Sequence, residues 1–183
     1  MTRTFTFSHF DHVAILLRFG EFVKDLYILE AVGDRGVRIT SWLNIRSELY
    51  PGGFFEKIVT RKLLYEMTSE KLTDLDQFRR NCLGKQYGLS ARKLFFNQSS
   101  ETDLHDTSGG HKQIKEDRKF FCSELIAKAF KVLDVLKNPE KKGSNNYFPG
   151  SFDHGQSIDA DLRDDVALGP PLNILVHGME DLN

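Results

Sequence analysis

From Cys122 onward the chain carries an apolar stripe that a buried helix explains. Leu125, Ile126, Ala129, Phe130, Leu133 and Leu136 recur at spacings of three and four. That period puts them on one side of a helix running from about Cys122 to Lys137, with Pro139 predicted to stop it. A stripe of this length has to be covered by other elements, so the segment demands a tertiary structure built around it. The helix also opens on a thiol. Helix N-termini present free backbone N–H groups and a partial positive charge. A thiol so placed ionises more readily, and the thiolate is the reactive form. A lone cysteine on a helix is, by itself, more often a small buried apolar residue. The rest of the chain has to decide between the two.

A chain of 183 residues is enough for one domain with a sizeable core, and residues 1–183 are read as a single domain. The net charge of −1 argues against nucleic acid as the partner, because phosphate binding requires a basic face. No apolar run is long enough to span a membrane. The first residues lack the apolar core of a secretory leader. Two distant cysteines, Cys82 and Cys122, do not make a disulfide framework. A reducing, cytoplasmic setting is therefore expected.

The elements before the helix read mostly as strands. His12 to Arg18 and Leu26 to Val32 are apolar runs rich in strand formers, separated by a turn through Gly20 and Asp25. Gly33-Asp34-Arg35-Gly36 predicts a second turn, and Gly36-Val37-Arg38-Ile39 a third strand. Ser41 is expected to cap a short helix ending near Leu49, ahead of Pro51-Gly52-Gly53. Another strand centres on Lys57-Ile58-Val59. Ser69 to Leu83 has helical spacing, with Leu72, Leu75, Phe78, Cys82 and Leu83 on its apolar face. Cys82 is read as core. Residues 97–117 are polar and predict a long exposed loop insertion. Asn173 to His177 predicts a closing strand.

A cysteine hydrolase needs a thiolate, a base that generates it, and a group that orients the base. His12 opens the first strand and Glu30 lies on the second, so a hairpin puts them on neighbouring strands. Glu30 stands inside an apolar run, where a carboxylate requires a partner. In this reading Cys122 attacks a carbonyl carbon, His12 moves the proton, and Glu30 holds the second ring nitrogen of His12. The N–H of Cys122 is a natural oxyanion donor. The cysteines and histidines lack the close paired spacing of a zinc site, so neither a metal nor another cofactor is expected.

Taken in order, Asp11-His12-Val13-Ala14, Ile28-Leu29-Glu30-Ala31, Gly36-Val37-Arg38-Ile39, Gly84-Lys85-Gln86-Tyr87 and Phe121-Cys122-Ser123-Glu124-Leu125-Ile126 resemble the permuted branch of the NlpC-type papain-like superfamily, its YiiX-like proteins most closely. The resemblance runs from about Ser8 to Val135. It implies an α+β fold in which an antiparallel sheet or open barrel packs on the cysteine-bearing helix. It also implies a Cys122–His12–Glu30 triad. Tyr87 matches an aromatic position of that family and, with Ser123 beside the nucleophile, is placed on the substrate side. The implied activity is thiol-dependent cleavage of an amide bond in a peptide or related substrate. Two other readings stay open: a catalytically inactive papain-fold module that binds a protein partner, and an acyltransferase or lipid hydrolase using the same triad.

Overall fold

Strand formers flanking tight turns produce a three-stranded antiparallel sheet in the order β1-β2-β3: β1 (Ile15–Arg18), β2 (Leu26–Val32) and β3 (Gly36–Ser41). The computed structural model describes residues 10–33, 35–49, 57–85 and 121–174, with the side chains of 46–49 outside that set. Ile15 lies opposite Leu29, and Glu30 lies opposite Arg38. Gly36 enters β3 at φ 67°, a left-handed conformation that glycine adopts without steric cost. Alternation along β2 sends Leu29 and Ala31 to one face and Ile28 and Glu30 to the other. Leu29, Ala31 and Val37 join the core.

Helix α1 (Trp42–Leu49) follows directly and packs on β2 and β3. β4 (Ile58–Thr60) and β5 (Leu63–Leu64) do not join this sheet. They pair instead with β7 (Leu172–Ile174) and β6 (Ala167–Leu168) at the far end of the chain, as two antiparallel ribbons. The described strands thus form three small sheets, and the fold is mixed α+β. Two-residue strands such as β5 and β6 are too short for a hydrophobic period to reveal, and neither was expected. The closing strand begins one residue earlier than expected, at Leu172. Its expected residues 175–177 lie outside the described set, as do the loop insertion at 97–117 and Tyr87.

Helix α2 (Ser69–Cys82) starts at Thr68, whose side chain accepts a hydrogen bond from the Lys71 N–H at 3.2 Å. Its apolar face is narrower than expected. Phe78 and Cys82 are buried and Leu75 packs partly against the core, but Leu72 is 53% exposed in the first turn. Spacing reports which residues share a face, not how much of that face is covered. After α2, Gly84 and Lys85 pair with β3: the Gly84 N–H donates to the Val37 carbonyl at 2.9 Å, and the Val37 N–H to the Lys85 carbonyl at 2.7 Å.

Helix α3 (Cys122–Val132) is shorter than its apolar stripe predicts. Asp134 takes a left-handed φ of 56°. The Asp134 N–H donates to the Lys131 carbonyl and the Val135 N–H to the Phe130 carbonyl, a Schellman end formed without glycine. Leu136 is still buried, but as an extended residue bridged to Leu162. Pro139 is therefore not what ends the helix. The stripe also underestimates its burial. Every residue from Cys122 to Phe130 is buried, including Glu124 and Lys128, whose charged ends stand 3.9 Å apart. α3 is covered by the sheet, by α2 and by the 144–146 turn, which makes it the axis of the core.

The last described segment is tied down by Arg61, whose side chain is nearly buried. Its guanidinium donates to the carbonyls of Phe152, Asp153, Leu168 and Gly169 at 3.0–3.1 Å and pairs with Asp159. Helix α4 (Ser157–Asp161) leads from there to β6.

Candidate active site

Glu30 is the polar group that the sheet must accommodate. It sits in the middle strand and is 5% exposed. A carboxylate so placed has to be paired. Its cross-strand neighbour Arg38 donates to Oε1 through Nε at 2.9 Å, and the Arg38 Nη2 lies 2.8 Å from the same oxygen. Oε2 faces His12 Nε2 at 2.9 Å. Burial alone would push the Glu30 carboxyl up. The hydrogen bond and charge of His12, with those of Arg38, outweigh it and hold the carboxyl below the usual carboxylate range.

His12 lies three residues before β1. Continuing the register of Ile15 with Leu29 puts Ala14 opposite Glu30, and His12 has the parity of Ala14. The ring therefore reaches Glu30 diagonally across the mouth of the hairpin. Burial acts to lower the His12 pKa. It is overcome by the hydrogen-bonding and charge interactions of His12 with Cys122 and with Glu30, which push His12 up to about 9. Since Nε2 serves Glu30, Nδ1 is the nitrogen left for the thiol.

Cys122 is the first residue of α3 and is 4% exposed. Phe121 caps the helix in an extended conformation, φ −81° and ψ 157°, without a side-chain cap. In the first turn of a helix the backbone N–H groups have no partner one turn earlier. The start of α3 is anchored by Ser123, whose buried hydroxyl donates to the Tyr147 carbonyl at 2.6 Å. Tyr147 is in turn held by its own hydroxyl, which donates to Asp161 at 2.9 Å. Tyr147 and Lys142 share that carboxylate, and burial, with the hydrogen bond and charge of Asp161, pushes the phenol up.

Of the residues singled out from the sequence, Cys122, His12 and Glu30 come together: Glu30 meets His12 Nε2 at 2.9 Å, and Cys122 is close enough to raise the His12 pKa. Ser123 is adjacent, with its hydroxyl turned to Tyr147. Tyr87 lies outside the described residues. Arg38 was read only as part of a strand. The turn read over Gly33–Gly36 is centred between residues 34 and 35 and would put Glu30 opposite Ile39; the observed register, with Val32 opposite Gly36, puts it opposite Arg38. Among the described residues no three His, Cys, Asp or Glu side chains converge to hold a metal ion. No described helix is long and apolar enough to cross a membrane.

The chain matches no protein-family model, no curated protein and no solved structure.

Proposed function

We propose that the protein is a thiol-dependent hydrolase that cleaves an amide bond with Cys122, His12 and Glu30, on a permuted papain-like fold. One observation carries the reading: a single imidazole joins a thiol at a helix start to a buried carboxylate 2.9 Å from Nε2. His12 takes the thiol proton and stays beside the thiolate as an imidazolium, whose charge Glu30 balances. The sulfur attacks the substrate carbonyl carbon, and the oxygen gathers negative charge beside the Cys122 N–H. His12 then gives its proton to the leaving amine as the C–N bond breaks, which leaves a thioester on Cys122. Water, deprotonated by His12, attacks the thioester and releases the acid, and the thiol is reprotonated. Neither Cys82 nor Cys122 is in a disulfide, and a reducing compartment such as the cytoplasm keeps the nucleophile as a thiol.

The contact between the His12 ring and the Cys122 thiol weighs against a module that only binds a partner, which has no need to keep the pair together. The test is labelling with an iodoacetamide probe. Wild-type protein is expected to label at Cys122, and Cys122→Ala is expected to lose that label. His12→Gln should slow labelling and, with a peptide or amide substrate, reduce turnover by about 10²–10⁴-fold. Equal labelling of wild type and Cys122→Ala would sink the proposal. Cleavage of a lipid ester with no cleavage of amides would move it to the lipid-hydrolase reading.

A further inference from the structure

We propose that Arg38 is a positioning residue of this site, which fixes the Glu30 carboxylate so that only one of its oxygens is presented to His12. The inference rests on the triad reading above. Arg38 does not touch His12 in any described hydrogen bond, and it acts through Glu30. Its Nε and Nη2 both lie on Oε1, at 2.9 and 2.8 Å, while Oε2 alone meets His12 Nε2 at 2.9 Å. The division of the two oxygens has a mechanical consequence. A glutamate has three side-chain torsions, and an unanchored carboxylate swings between rotamers and offers either oxygen. The planar guanidinium closes off Oε1 from two directions and leaves a single orientation for the remaining lone pairs. β-sheet register sets this geometry, because Arg38 lies directly opposite Glu30. Arg38 also supplies the charge that keeps Glu30 ionised at low pH, so that the His12 imidazolium retains its counter-charge.

A purely structural cross-strand ion pair is the alternative. It would add stability and leave the chemistry of the thiol alone. The two roles separate by pH. Among the described residues, the charged groups acting on Glu30 are His12, from the segment before β1, and Arg38, from β3. Those acting on His12 are Cys122, from α3, and Glu30. The described side chains of α1, Trp42 to Ile45, are uncharged. The acid limb of Cys122 alkylation follows formation of the thiolate beside the His12 imidazolium, so it moves on loss of Arg38 if Arg38 acts on that pair through Glu30.

The experiment measures iodoacetamide alkylation of Cys122 against pH in the full chain, for wild type, Arg38→Met and Arg38→Lys. The Arg38 side chain is 23% exposed, so its truncation leaves no closed cavity. Arg38→Met is expected to move the acid limb upward by about one pH unit, the lower end of what loss of a neighbouring charge does to a carboxylate. Arg38→Lys restores the charge without the fork, so it should bring the limb most of the way back while alkylation stays slower than in wild type. In a Glu30→Gln background, Arg38→Met should move the limb no further. A lower melting temperature with an unmoved limb in Arg38→Met overturns the positioning role and leaves the triad standing. Should Arg38→Met not fold, a limb in Arg38→Lys that coincides with wild type at an unchanged rate overturns it equally. A wild-type Cys122 no more reactive than free cysteine overturns both the triad and this role.

Discussion

Glu30→Gln is the perturbation that tests the site most directly. The substitution keeps size and shape but removes the charge on which His12 and Arg38 converge. The His12 pKa is raised by two partners, each through a hydrogen bond and through charge: Cys122 and Glu30. Burial opposes both. A buried ion pair at hydrogen-bond distance shifts a partner by about 1–3 pKa units. Each unit corresponds to about 1.4 kcal/mol of preference for the charged form. With the carboxylate gone, His12 is expected to fall from about 9 by at least about one unit, because only the thiol then works against burial. The assay is an NMR titration of the histidine ring protons from about pH 5 to about pH 10, which brackets the ordinary and raised values. The His12 resonance is assigned by its loss in His12→Gln. A His12 that titrates at the same pH in Glu30→Gln and wild type would refute the reasoning, since the carboxylate would not be what holds the proton. A wild-type His12 titrating at the ordinary histidine value would refute it sooner.

The same shifts set the pH dependence of stability. His12 holds its proton up to about pH 9 when folded but only to about 6.5 when unfolded, so its contribution is complete below pH 6.5 and is lost as pH rises through 9. Melting temperatures should decline across that window, by the equivalent of up to about 3 kcal/mol, and the decline should flatten in Glu30→Gln. Glu30 acts at the other end: its lowered pKa contributes stability above the ordinary carboxylate value, and that contribution is lost as pH falls through the folded value. Arg61→Met removes the cation from Asp159, which keeps only the Gly155 N–H among the described residues, and the Arg61 donors from four backbone carbonyls, and should lower the stability measured by urea unfolding by about 3–5 kcal/mol. A loss below about 1 kcal/mol would show that the 152–169 segment is held by its other contacts.

Much of the local structure was legible before any coordinates. β2 occupies the residues its apolar run marked, and α2 starts where the helical spacing begins, because each is dictated by nearest neighbours and turn chemistry. The apolar stripe found the start of α3 but misplaced its end. The spacing of Leu133 and Leu136 fits a helix, yet Asp134 turns the chain and Leu136 is buried through the Leu162 bridge. That choice depends on a segment almost thirty residues away. β5 and β6 were hidden for a similar reason: two-residue strands have no period, and they exist only because distant segments meet.

The candidate site divides along the same line. The sequence by itself determined that a thiol would open a buried helix, that a histidine would stand at the mouth of a hairpin, and that a glutamate inside an apolar strand would need a partner. Composition and period are local properties, and these statements need nothing more. His12 was the partner expected for Glu30; tertiary structure added Arg38 and decided which oxygen each one takes. Strand register brings Arg38 to one carboxylate oxygen, and the diagonal approach of His12 brings its Nε2 to the other. It alone set the Cys122 thiol against the His12 ring, because helix and strand are separated by more than a hundred residues of chain. Hydrogen bonds are short-range, and only the packing of α3 against the sheet brings the start of that helix to the mouth of the hairpin.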